Sequence, residues 1–282
     1  MEEQNTNILE RIHAAYYQLT AAERKVADFV LSQHEQVQYM SITQLADECG
    51  TAEATISRFC RSMKLKGFNA FKLELARHST SNNTAKKVPA KNTLLGRSLE
   101  VGRVANDAIY QTIELVEADQ IQKAVQLIYK ASRVMSMGSG GSMYMAQEFA
   151  HLFSTVTGKV FATVDSHLQM TAAATMGSDD VIVLFSYSGA TTVGLQILEL
   201  ARDKGIKTIL ITRFRKSPAA SLADAVLCCG SNEGPFQLGT VPAKIAQLIV
   251  MDILYQEYCF LQPEESEATI QKIASALSGM HV

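Results

Sequence analysis

From about Ile8 to Arg77 the apolar residues recur at helical spacing and no stretch alternates as a strand would. Ile8, Ile12, Ala15 and Leu19 form a first face. Thr20 followed by Glu23 has the form of a capping box and opens a helix with Val26, Phe29, Val30 and Val37 inward. Ser41 followed by Gln44 opens another, with Ile42, Leu45 and Ala46 inward, and Gly50 stops it. A further helix begins near Ala52 and turns Ile56, Phe59, Cys60 and Met63 to one side. The pattern changes at Ser79. Residues 79–92 are polar, lack an apolar period and contain Pro89, so they read as a linker. Beyond helical segments at Leu99–Val116 and Ile121–Ile128, apolar strands are expected near Arg133–Met137, Val160–Val164, Val181–Phe185, Thr208–Thr212 and Ala225–Cys229. Helical segments separate the first four, near Met143–Val156, Leu168–Met176 and Val193–Lys204, and two long helices, Ala243–Tyr258 and Glu265–Leu277, close the chain. Such alternation predicts a parallel sheet covered on both faces. The expected division is an all-α domain over 1–78, a linker over 79–96 and an α/β domain over 97–282.

Ser41 to Met63 reads as helix, glycine turn, helix, the layout of a helix-turn-helix. Its second helix would enter a major groove, with Glu53, Ala54, Thr55, Ser57, Arg58, Arg61 and Ser62 on the outer face. Charge is polarised to match. Glu2, Glu3 and Glu10 crowd the start, whereas Arg58, Arg61, Lys64, Lys66, Lys72 and Arg77 crowd the end, opposed only by Glu74. A localised basic face is what contact with a phosphate backbone requires. Glu53 counts against it, although a carboxylate can accept from a cytosine amino group. A helical bundle whose basic face meets protein is the alternative.

Two glycine–serine stretches follow apolar strands in the second part. Gly138-Ser139-Gly140-Gly141-Ser142 comes after Val134–Met137, and Ser186-Tyr187-Ser188-Gly189-Ala190-Thr191-Thr192 after Val181–Phe185. Small residues let the backbone approach a ligand, and a following helix presents free N–H groups and the positive end of its dipole. Ordinary strand-to-helix turns use the same residues. Two of them at the carboxyl ends of successive parallel strands favour an anion site, because open sheets bind ligands there.

The length of 282 residues suits two domains at about 150 residues each. A net charge of −2 leaves room for a local basic patch. No apolar run approaches the roughly 18 residues of a membrane span, and the acidic Met1–Asn5 start is unlike a signal peptide, so a cytoplasmic protein without membrane contact is expected. Cys49, Cys60, Cys228, Cys229 and Cys259 form no C-x-x-C pair and read as reduced, buried thiols. There is no G-x-x-x-x-G-K-[ST] loop, and Met143 stands where a dinucleotide fingerprint needs its third glycine. Asp165 and His167 read as a helix cap and a packed or solvated histidine rather than metal ligands. Ser186 and Ser188 lack a nucleophile-elbow setting, and nothing in the spacing brings the acid–base candidates Glu233 and Lys244 together. No catalytic residue, metal or cofactor is therefore expected.

Taken together, these motifs resemble the RpiR-type bacterial transcription regulators, which pair an N-terminal helix-turn-helix with a C-terminal sugar isomerase (SIS) domain. The resemblance is carried by Thr20–Ala27, Ser41–Ala46, Ala54–Arg61 and Leu65–Phe68, and by the stretches 138–142 and 186–191. It implies a doubly wound, flavodoxin-like five-stranded parallel sheet, homodimers or homotetramers built through the SIS domains, and a phosphorylated sugar or amino sugar as effector. Carried over by position, Ser142, Ser186, Ser188 and Thr191 would hold the phosphate, with Tyr187 contributing its backbone; Gly140, Glu233 and Lys244 complete the expected phosphosugar-binding set. Arg58 and Arg61 are expected on bases or phosphates of operator DNA, Thr55 and Ser57 on base edges, and Lys64 and Lys66 on phosphates. Two departures stand out. Ala52 occupies a position often held by a serine cap, leaving Thr51 or backbone groups to cap the reading helix. Gln237 replaces a glutamate of SIS isomerases, and an amide cannot act as a general base at neutral pH, which weighs against the alternative of an aldose–ketose sugar-phosphate isomerase.

Overall fold

The computed structural model describes residues 7–82, 93–231 and 239–278. The chain divides into two compact units, the boundary falling between Arg103 and Val104.

Among its described residues the first unit is helical: α1 (Ile8–Ala15), a 3-10 turn (Tyr16–Gln18), α2 (Ala21–Val37), α3 (Ile42–Glu48), α4 (Glu53–Ser62) and α5 (Phe68–Asn82). Both expected capping boxes form. The Glu23 N–H donates to Thr20 Oγ, and the Glu23 carboxylate accepts from the Thr20 N–H at 3.0 Å. Ser41 and Gln44 make the reciprocal pair at the start of α3. Ile56, Phe59, Cys60 and Met63 face a single core with Ile12, Val26, Leu45 and Phe71. Helix α5 runs on to Asn82, past the expected start of the linker at Ser79; residues 83–92 lie outside the described part.

Next come α6 (Leu94–Glu114), α7 (Ala118–Lys130), β1 (Arg133–Gly138), α8 (Gly141–Ser154), β2 (Val160–Ala162), α9 (Ser166–Thr175), β3 (Asp180–Phe185), α10 (Thr192–Lys204), β4 (Lys207–Thr212), β5 (Ala225–Cys228), α11 (Val241–Leu261) and α12 (Pro263–Leu277). The five strands form one parallel sheet in the order β2-β1-β3-β4-β5. Every residue of β3 is buried, as expected for a central strand covered on both sides. One sheet face packs on α7, α8 and α11 through Ile128, Phe149, Phe153 and Val250. The other packs on α9 and α10 through Ala173, Ile197, Leu198 and Ala201. The chain leaves β1 toward one edge to make β2, then returns to lay β3 on the opposite side of β1. Strand order therefore reverses between β1 and β3, where doubly wound sheets open a ligand crevice.

Candidate functional site

Gly138, the last residue of β1, lies in register with Phe185, the last of β3, so the two glycine–serine stretches leave the sheet side by side. Ser186 prolongs β3, its N–H donating to the Ile211 carbonyl at 3.0 Å. The chain then turns. The Gly189 N–H donates to the Ser186 carbonyl at 3.1 Å, and the Ala190 N–H to Ser188 Oγ at 3.3 Å. Gly189 has φ 60°, and a Cβ there would sit 2.6 Å from the Ser217 Cβ, so only glycine fits this turn. The buried Ser186 hydroxyl lies 3.3 Å from the Thr191 hydroxyl at the start of α10.

The two helices that follow these stretches share a property that α9 lacks. Gly140 is the N-cap of α8 and Thr191 that of α10, and neither supplies a side-chain hydrogen bond to its helix. At α9, Asp165 Oδ1 accepts from the Leu168 N–H at 3.0 Å, as the cap reading of this residue requires. No side chain therefore occupies the first N–H groups of α8 and α10 at the switch point, although in α8 the Ser142 and Met143 N–H groups turn back onto the Ser139 and Gly140 carbonyls at 3.2 Å; at α9 an aspartate side chain takes one of them. An anion set between α8 and α10 meets two positive helix ends and the hydroxyls of Ser142, Ser186, Ser188 and Thr191.

Lys244 comes near the start of α8. It lies in the first turn of α11, its Nζ 5.9 Å from the centre of the Tyr144 ring in the first turn of α8. Glu233 and Gln237 lie outside the described residues. His167 is exposed, and among the described residues no group of three or more His, Cys, Asp or Glu side chains is placed to hold a metal.

Three supports of the site were not evident in the sequence. Gln169 of α9 is 1% exposed and donates Nε2 to the carbonyls of Gly138 and Thr163, at 2.8 and 3.0 Å, fixing the end of β1. Thr212 Oγ and the Arg213 N–H both donate to the Tyr187 carbonyl, at 3.1 and 3.0 Å. The Ala219 N–H donates to the Gly189 carbonyl at 2.9 Å. Only Gln169 carried a local signal, a polar side chain among the apolar and small positions of α9.

In the first unit, Gly50 at φ 59° ends α3, and α4 follows as the second helix of the helix-turn-helix. Arg58, Arg61, Lys64 and Lys66 are exposed, and Ser57 is half-buried. Thr55 is not on the outer face as expected. It is 5% exposed, because it stands one turn before Phe59 on the core side of α4. Glu53 is half-buried and accepts from Thr43 Oγ at 2.5 Å, which draws its charge toward α3. Lys72 also leaves the open basic set. Its ammonium donates to the Met40 carbonyl at 3.3 Å, lies 5.3 Å from the centre of the Phe68 ring, and is pushed below the usual lysine pKa by burial. Thr51 does not cap α4, since its hydroxyl is buried without a hydrogen-bond partner. Lys64 holds φ 55°, and the Leu65 N–H donates back to the Cys60 carbonyl at 3.0 Å. This is a Schellman ending with lysine where α3 uses glycine.

Residues 6–82 match the helix-turn-helix domain of the rpiR family and residues 127–256 match the SIS domain. An HTH-type transcriptional regulator of Caldanaerobacter subterraneus subsp. tengcongensis is 32% identical over 253 residues, 89% of each chain. The chain belongs to the rpiR family of helix-turn-helix transcriptional regulators. A Haemophilus influenzae regulator of this kind is 31% identical, with 94% of each chain covered. The Vibrio vulnificus NanR protein, solved in complex with ManNAc-6P, superposes with a TM-score of 0.89 at 25% identity, over 98% of this chain and 100% of that one. Among the described residues no helix is long and apolar enough to cross a membrane.

Proposed function

We propose that the chain is a cytoplasmic, sugar-phosphate-responsive DNA-binding regulator whose effector occupies the crevice between α8 and α10. The observation that carries this reading is the pair of helix N-termini without side-chain caps, flanking the point where strand order reverses, with four hydroxyls around them. The phosphate sits on the N–H groups and on Ser142, Ser186, Ser188 and Thr191, with the Tyr187 N–H and Gly140 closing the cradle. Lys244 meets the sugar or the phosphate edge. NanR, solved with ManNAc-6P, makes a phosphorylated amino sugar the first candidate. The effector acts by binding one arrangement of the DNA-reading heads better than another. Paired α4 helices of a homodimer or homotetramer read a two-fold operator, with Arg58 and Arg61 on bases or phosphates, Ser57 on base edges and Lys64 and Lys66 on phosphates. The effector is bound and released unchanged rather than isomerised.

The test is a thermal-shift screen of the full chain against hexose 6-phosphates and N-acetylhexosamine 6-phosphates. At 100 times its Kd a ligand specific for the folded state adds about 2.7 kcal/mol, a readily measured rise in Tm. Ser186→Ala with Ser188→Ala is expected to abolish that rise while leaving retention on duplex DNA unchanged. A rise that survives both substitutions refutes the assignment of the site.

A further inference from the structure

The loop after β3 is tied to α6 by a short run of hydrogen bonds that none of the roles above uses. The Tyr187 phenol donates to the Ser231 carbonyl at 2.5 Å, and Arg213 Nε donates to the same oxygen at 2.9 Å. One residue earlier, the Gly230 N–H donates to Thr112 Oγ at 2.9 Å, and Thr112 Oγ donates to the Ala108 carbonyl at 2.6 Å. Thr112 is fully buried on α6. No side chain cushions this contact. A Cβ on Gly230 would lie 2.5 Å from both the Gln111 Cβ and the Thr112 nitrogen, so the strand end rests directly on the helix backbone. A second tie runs in parallel: Arg215 pairs with Glu117, the residue that leads into α7, a few residues before Ser217 and Ala219 support Gly189.

We propose that Thr112 is a positioning residue at the receiving end of a relay, Tyr187 to Ser231 to Gly230 to Thr112, through which the state of the Ser186–Thr191 loop reaches α6. The proposal rests on the reading that this loop holds a phosphosugar. A ligand on the Tyr187 N–H moves a residue whose carbonyl is held by Thr212 and Arg213 and whose ring is fastened to Ser231. A shift of Ser231 cannot be absorbed at Gly230, because close-packed backbone has no rotamer to change. In chain order α6 is the first helix after residues 83–92 and precedes the first strand of the sheet. Differential binding can act on the heads only through an element whose equilibrium both sites bias, and the relay gives that part to α6.

Hydrogen–deuterium exchange on the full chain tests it, using N-acetylmannosamine 6-phosphate, or whichever member of the phosphosugar panel raises Tm most. In the unaltered protein, exchange is expected to slow in both 186–193 and 104–114. In Thr112→Val, which keeps the shape and removes the hydroxyl, 186–193 still slows and the response of 104–114 is lost. Thr112→Ser, which keeps the hydroxyl, retains both responses. Should Thr112→Val fail to fold, Tyr187→Phe breaks the relay at its other end and is read as the ratio of the helix response to the loop response at saturation, expected to fall. A loop response without a helix response in the unaltered protein, or a helix response intact in Thr112→Val or at an unchanged ratio in Tyr187→Phe, overturns the relay and leaves the binding site standing. If no panel member slows 186–193, the phosphosugar reading fails, and the relay with it.

Discussion

Replacing Gly189 by alanine tests the geometry of the proposed phosphate loop most directly. Two costs follow from the structure. The residue sits at φ 60°, in the left-handed region, where an L side chain costs roughly 1–2 kcal/mol. The new methyl would also lie 2.6 Å from the Ser217 Cβ and 3.3 Å from Thr212 Oγ, and overpacking of this kind costs about 1–3 kcal/mol. Gly189→Ala should therefore destabilise the chain by about 2–5 kcal/mol, and should remove the phosphosugar-induced rise in Tm, because Ser188 and Thr191 are carried on the same turn. The two costs can be separated. Ser217→Gly deletes the atoms that clash and leaves the backbone conformation untouched. Alone it should cost about 1 kcal/mol, since the Ser217 hydroxyl accepts from the Ala220 N–H at 3.3 Å. In the double mutant the clash is gone, so the pair should be less destabilised than the sum of the singles by about 1–3 kcal/mol. Urea unfolding followed by circular dichroism measures all four proteins; the chain has no tryptophan to report by fluorescence. Additivity within about 0.5 kcal/mol would refute the reasoning, because it would mean that Ser217 does not close over Gly189.

Two further predictions concern the reading unit. Lys64 pays a backbone penalty at φ 55° that glycine would not, so Lys64→Gly should stabilise the protein by up to about 1 kcal/mol while weakening DNA binding. Anisotropy titrations on duplex DNA across salt should show a log–log slope shallower by about 0.9, and an unchanged slope would remove Lys64 from the interface. Glu23 is held below the usual carboxylate range by hydrogen bonds from the Thr20 hydroxyl first, then from the Thr20 N–H and the Ser62 hydroxyl, with the Arg58 charge adding to them against the effect of burial. A depressed folded pKa contributes stability that is fully present above the unfolded value of about 4.3 and is lost as pH falls through the folded one. Glu23→Gln should thus cost about 1–3 kcal/mol at pH 7. Urea midpoints should show the gap to the unaltered protein narrowing below pH 4.3; a gap that is constant with pH would rule out the carboxylate as its source.

The strands could be read from the sequence because each central one is apolar on both faces. Val181–Phe185 needs no partner to be recognised, and all five expected strands lie within two residues of the observed ones. Capping boxes were equally plain, since both partners lie three residues apart in the chain. What escaped depends on contacts between distant residues. Leu94, Leu95 and Leu99 are all exposed, so they gave no periodic face from which to date the start of α6. Thr55 falls on the outer face when only Ile56, Phe59, Cys60 and Met63 are turned inward, yet its position one turn before Phe59 turns it to the core. The Gln169, Arg213 and Ser231 contacts join residues as far as 44 apart, and that of Thr112 with Gly230 joins residues 118 apart. No local spacing announces such pairs.

The proposed binding loops before α8 and α10 differ from the turn before α9 in what caps the helix. All three helices follow parallel strands at the same edge of the sheet, and all three begin in small or polar residues. At α9 an aspartate satisfies its own helix, which both uses an N–H and places a negative charge where an anion would have to enter. At α8 and α10 the caps are Gly140 and Thr191, which set no side chain on the helix donors and add no charge. Neutral donors also fit a regulator. A cluster of cations would bind anions with little regard to shape, whereas N–H groups and hydroxyls fixed by β1 and β3 reward only a group that fills their geometry. In the proposed reading, discrimination among phosphosugars falls to residues beyond the phosphate, and Lys244, reaching from α11 to the first turn of α8, is the candidate for it.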